Sequence, residues 1–271
     1  MKNKIILNFW YALLLLLGIH AVYVLFYVIL GLVIKTFFTT GPIKIFLGYV
    51  HYLLFVPFIF WFAKKTDTNF KDSLFIPDLW TVIKTFVVVV LAQTIVFCPL
   101  DSFGLFFESL KNSELRVFGA TLRPFSPLTD FVGLLIAPII EEFFFRGLVL
   151  KNFLKKYSPV YAILLSSILF SIHHLSLDNS IFYIFAGILF GIIYYKTNSL
   201  IIVILAHMIW NAFSLLIYEH IQLDMASSIF HLFIYLSAFI LLVFLLRKWF
   251  VHNKKQSSDY QQEISDDLDK I

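Results

Sequence analysis

Cysteine is nearly absent from this chain: Cys98 stands alone. A single thiol excludes a disulfide framework and any zinc site built on paired cysteines. Charge is also scarce. Only 14% of the 271 residues are charged, where an ordinary soluble domain carries about 25%. The net charge of +4 is gathered in short Lys clusters beside apolar blocks. It therefore reads as a topology signal, and no nucleic-acid partner is expected. No tandem repeat is present, which sets aside solenoids and the paired-repeat architecture common among transporters.

What the chain has instead is apolar length. Hydrophobic residues make up 60% of it, including 33 Phe, and they fall in blocks of the ~18 or more residues needed to cross a bilayer core. The expected fold is all-α, a polytopic membrane helix bundle of about eight transmembrane helices. The spans are 9–34, 43–62, 79–97, 131–151, 159–175, 181–195, 200–217 and 229–246. The run that follows Lys2 and Lys4 is too long for the core of a signal peptide and reads as a retained helix. With the N-terminus inside, alternation puts Lys64, Lys65, Lys71, Lys151, Lys155, Lys156, Lys196, Arg247 and Lys248 on the cytoplasmic side. This predicts a multi-pass protein of the cell membrane with both termini cytoplasmic. Lys outnumbers Arg, and Ile, Asn and Phe are abundant, which points to an AT-rich, bacterial genome. Within 98–130, Phe103, Phe106, Phe107 and Leu110 share one helical face, as suits a helix lying on the outer interface. The polar tail from Asn253 reads as disordered. The organisation expected is 1–124 for the N-terminal helices and interfacial segment, 125–220 for a core, 221–252 for the last span and 253–271 for the tail.

Ionisable groups inside apolar spans cost several kcal/mol and mark function by default. The fourth span holds Glu141, Glu142 and Arg146 in APIIEEFFFRG. Glu142 and Arg146 are four apart, on one helix face, and are expected to pair. Glu141 is turned about 100° away and lacks that partner. Pro138 just before them is expected to bend the helix. The fifth span ends in Phe-Ser-Ile-His-His, with His173 and His174, and the seventh carries His207 and Asn211 on one face. Each of these also has a plain reading, as interfacial histidines or as interhelical hydrogen bonding. His20, His51 and His231 are isolated in the sequence and read as packed or interfacial. Gly187 and Gly191, four apart, permit close helix contact. Counting 1.5 Å per residue puts Glu141, His174, His207 and Asn211 ~15, ~22, ~10 and ~16 Å from the cytoplasmic ends of their helices, compatible with one cavity.

These residues carry a resemblance. EExxxR, FxxxH and HxxxN, in that order and each in an apolar span, resemble the CPBP (Abi) family of intramembrane proteases, the type II CAAX-protease and bacteriocin-processing group. Here they read Glu141-Glu142 to Arg146, Phe170 to His174, and His207 to Asn211. EEFFFRGLVL and Asn198-Ser199 match as well, and the likeness covers roughly 125–220. HExxH, GxSG and GxGD, which mark other membrane proteases, are absent. The resemblance implies an endopeptidase acting on a membrane-associated protein or peptide precursor. Glu141 would activate water, His174 would hold that water, and His207 and Asn211 would donate to the oxyanion. Glu142, Arg146 and Phe170 would support them. No cofactor is favoured, with zinc on Glu141, His174 and His207 as the alternative. A non-catalytic immunity or signalling partner and a transporter are the rival functions. The expected partners are the bilayer and a peptide or protein substrate.

Overall fold

The computed structural model describes residues 6–33, 41–103, 131–177, 179–220 and 228–252. The proposed interfacial positions Phe106, Phe107 and Leu110, the polar tail and the side chain of His231 lie outside what is described. Among the described residues all regular structure is helical. In chain order the helices are α1 (Phe9–Val33), α2 (Gly41–Thr66), a 3₁₀ turn (Lys71–Ser73) and α3 (Leu79–Phe103). A continuous rod follows, built from π1 (Val132–Ile136), α4 (Ala137–Glu142), π2 (Phe143–Leu150) and α5 (Lys151–Phe153). Then come α6 (Pro159–His173), α7 (Ser180–Thr197), α8 (Leu200–His220) and α9 (Ser228–His252).

The apolar blocks become helices where expected, but the count of membrane spans is corrected. Among the described residues two helical stretches, Phe9–Phe26 and Ser180–Thr197, are long and apolar enough to cross a membrane, not about eight. The reasons are physical. With its 15 residues α6 reaches only ~22 Å, short of the ~30 Å hydrocarbon core. The described apolar stretches Leu79–Ile95 and Leu200–Ser214 are likewise short. The rod from Val132 to Phe153 carries three ionisable groups in its middle and buries them against neighbours.

Local chemistry sets the element ends. Ser158 and Pro159 open α6, with Pro in the first turn where its missing N–H is not needed. Asn198 closes α7 in the left-handed conformation, φ 48°, a cap that Asn tolerates better than most residues. Ser199 then starts α8, accepting a hydrogen bond from the Ile202 N–H and donating to the Phe75 carbonyl. Pro138 lies in the first turn of α4, where the rod changes from π to α spacing. π turns inside helices are rare and concentrate at functional sites.

α6 and α7 pack against each other most closely, α3 lies on α8 and α9, and α1 on α2 and α6. The α6–α7 contact depends on glycine. A Cβ on Gly187 would stand 2.9 Å from the Cα of Ser167, and one on Gly191 would stand 2.9 Å from Ile163 Cγ2. The core around the rod is aromatic: Phe144, Phe145, Phe170 and Phe190 are buried. Facing outward are large apolar side chains such as Leu14, Trp61, Trp80, Ile168, Ile240 and Phe244, an arrangement that suits lipid and would be a liability in water.

Candidate active site

The rod carries Glu141, Glu142 and Arg146 through the middle of the bundle, and none is more than 4% exposed. The predicted pair forms: Arg146 Nη1 donates to Glu142 Oε1 at 3.0 Å. Arg146 Nη2 donates to the Gly187 carbonyl at 3.0 Å. Its guanidinium also lies over the rings of Phe170 and Phe190, 4.8 and 5.3 Å from their centroids. An uncompensated charge here would be very costly, and this cage of opposite charge, carbonyl and π faces offsets that. Phe170 thereby has a concrete part: it stacks on the guanidinium and edges onto Phe145.

Glu142 does more than pair with Arg146. Its Oε1 also accepts from His207 Nδ1 at 2.7 Å. That bond fixes the proton of His207 on Nδ1 and turns Nε2 toward Glu141, 3.9 Å from Oε2. Phe190 stacks on the same imidazole, with centroids 4.6 Å apart. Glu141, which lacked a partner in sequence, meets His173 Nε2 at 3.6 Å on its other side. Glu141 Oε2 accepts no hydrogen bond.

Glu141, His174, His207 and Asn211 all line one partly open cleft of about 140 Å³, together with Tyr52, Phe170 and Tyr183. His174 is held by Nδ1 donating to the Phe170 carbonyl at 2.9 Å and by stacking on Tyr183 at 3.8 Å. Asn211 Nδ2 donates to the Gly133 carbonyl at 2.9 Å, tying α8 to π1 at the cleft wall.

Several contributors were not legible in the sequence. Tyr52 and Tyr183 sit in aromatic-rich stretches where nothing sets them apart. Gln93 of α3 donates to the Trp210 carbonyl at 2.8 Å, steadying α8 beside Asn211. The largest addition is a cluster of buried His20 and His173 with half-buried His51, whose ligand atoms all lie within 4.8 Å of one another. Three imidazoles so placed could hold a metal ion such as zinc. This is a different set from the Glu141, His174 and His207 considered from sequence. In that earlier set, the Nδ1 atoms of His174 and His207 are already engaged by Phe170 and Glu142.

A buried carboxylate, two histidines from different helices and an amide meet on one cleft, a set of groups that can move protons, in a helical bundle with apolar stretches long enough to cross a membrane. Comparison with known proteins narrows this. Residues 124–213, a third of the chain, are similar to the Rce1-like family, described as type II CAAX prenyl endopeptidase Rce1-like. The chain is also 29% identical over 145 residues to the Bacillus subtilis protein named "Putative membrane peptidase YdiL". That likeness covers 53% of this chain and 57% of the relative, so the chain spans little more than half of that relative's length. No solved structure matches.

Proposed function

We propose that the chain is an intramembrane endopeptidase of the CPBP (Abi) branch, cleaving a membrane-associated protein or peptide precursor with water activated by Glu141. The observation that carries this reading is the position of Glu141. It is buried, yet lines the cleft with an oxygen that accepts no hydrogen bond and faces His207 Nε2 across 3.9 Å. Both atoms are acceptors, so a water beside them can give one proton to each.

In the proposed reaction the water oxygen adds to the scissile carbonyl carbon while its proton passes to the Glu141 carboxylate. The C–N bond then breaks and the same proton goes to the departing amine, leaving a carboxyl and an amine end. His174 holds the water. Asn211 Nδ2 lies on the same cleft and gives up its bond to Gly133 to donate to the carbonyl oxygen as it gains charge, while the bare Nε2 of His207 accepts a hydrogen bond from the water that Glu141 activates. Glu142, Arg146 and Phe170 keep His207 aimed. Both termini are placed on the cytoplasmic side by the Lys clusters flanking the apolar helices; a reporter fused after Lys255 should read cytoplasmic.

The test compares peptide ends in membranes of cells producing the wild-type chain or Glu141→Gln at equal abundance. Ends that depend on the wild-type chain and vanish in the variant are expected. Ends unchanged by Glu141→Gln would remove Glu141 as the base.

A further inference from the structure

The cluster of His20, His51 and His173 lies behind the cleft, not on it. None of the three lines the cavity, although His51 is next to Tyr52 and His173 next to His174. His20 and His173 are 8% and 5% exposed. Ring centroids are 5.0 Å apart for His20 and His51, 5.3 Å for His20 and His173, and 5.5 Å for His51 and His173. Three imidazoles this close, two of them buried and the third half-buried, favour a common partner, because each neutral ring keeps one bare lone pair.

The surroundings of each ring single out one nitrogen. His20 Nδ1 lies 2.8 Å from the Leu16 carbonyl, so the proton belongs on Nδ1 and Nε2 is bare. That Nε2 stands 3.2 Å from the His173 carbonyl oxygen, an acceptor that offers it no proton. His173 Nε2 faces the Glu141 carboxylate, which puts its proton there, and its Nδ1 is buried without a partner. His51 Nε2 is also buried without a partner. Phe55 packs against all three rings, with centroids 5.1 to 6.0 Å away, and gives the cluster an apolar wall.

We infer that His20 Nε2, His51 Nε2 and His173 Nδ1 form a binding site for a zinc-class divalent cation, which holds His173, and through it Glu141, in place. Zn–N bonds of ~2.0–2.1 Å set tetrahedral nitrogens about 3.3 Å apart. The ligand atoms lie within 4.8 Å of one another, so binding draws them in by no more than about 1.5 Å and leaves a fourth position to an oxygen ligand. A ligating histidine that gives its other N–H to a carboxylate is the usual outer arrangement of zinc sites. The ion positions Glu141 and touches no substrate, so His20, His51 and His173 are positioning residues. The site is recruited from α1, α2 and α6, and it goes beyond the protease reading, since binding is measured without any cleavage.

The full chain, purified in detergent and stripped with a strong chelator, is titrated with Co²⁺ alone. Uptake of about one Co²⁺ per chain, with the intense visible bands of a tetrahedral ion displaced by Zn²⁺, is expected. His20→Ala and His51→Ala lose the bands, whereas His174→Ala keeps them. His51→Cys adds a sulfur-to-cobalt charge-transfer band missing from the wild-type chain, a gain that misfolding cannot mimic. Glu141→Gln retains the stoichiometry and binds about 10–100-fold more weakly. No bands in a folded wild-type chain, or bands untouched by both His20→Ala and His51→Ala, would overturn the site. A chain that binds Co²⁺ but cleaves nothing upholds the site and removes the protease reading. One that cleaves after stripping and binds no Co²⁺ does the reverse.

Discussion

Glu141 and Glu142 are neighbours in the chain with opposite circumstances. Glu142 is fully buried, and one of its oxygens takes two short donors, Arg146 at 3.0 Å and His207 at 2.7 Å. Glu141 has its closest nitrogens at 3.6 and 3.9 Å and opens onto the cleft. One carboxylate holds the bundle and aims His207; the other is steadied by Tyr52 and His173 and keeps one oxygen, Oε2, that accepts no hydrogen bond. The lesson is that a helix turn of about 100° can separate a structural charge from a reactive one.

Breaking the reactive side should have the largest effect. Glu141→Gln keeps the shape but cannot take a proton from water, and a loss of about 10²–10⁴ in cleavage rate is expected with folding preserved. A variant that cleaves at the wild-type rate would erase the contrast between the two carboxylates. Breaking the structural side should instead be read in stability. Arg146→Ala leaves Glu142 charged and buried, at a cost of about 3–5 kcal/mol, and protein abundance in the membrane should fall with activity. Normal abundance together with normal activity would refute the pairing.

Asn211→Ala sharpens the comparison, since it removes a donor on the Glu141 side without touching the Glu142 cage. A loss of about 10²–10³ in rate is expected, leaving measurable turnover, with only the small drop in stability, about 1 kcal/mol, that follows from losing the bond to Gly133. Gly187→Ala probes the cage from behind, where the Gly187 carbonyl accepts from Arg146. Its new Cβ meets the backbone of Ser167 at 2.9 Å, so unfolding should show a loss of about 1–3 kcal/mol.

The smallest effect lies outside the bundle. Asp78, exposed ahead of α3, accepts from the Thr81 N–H at 3.1 Å and the Thr81 hydroxyl at 2.6 Å. The Thr81 side chain, then its backbone, hold the Asp78 carboxyl below the ordinary carboxylate range. Because the folded value is depressed, this contribution is present above the ordinary Asp range and lost as pH falls through the lower folded value. Asp78→Asn should flatten the acid limb of the melting curve slightly. An unchanged limb would show that the cap does not contribute.

The sequence by itself determined the helical class and the position of each helix, because apolar block length and Pro, Ser and Asn signals are local properties. It also determined the Glu142–Arg146 pair and the closeness at Gly187, since four-residue spacing on a helix is a short-range fact. Membership of Glu141, His174, His207 and Asn211 in one cleft was legible only as three motifs in order, and packing made it a geometry. Tertiary structure alone decided the rest. It joined His207 to Glu142 across 65 positions of chain, and it set His20 and His51, isolated in the sequence, beside His173. It also gave Glu141 a partner in His173, where spacing had left it none. Span number was misjudged because apolar length measures what a helix could cross, whereas the length and burial of the folded helix decide what it does. Contacts between helices depend on which faces meet, and no local pattern carries that information.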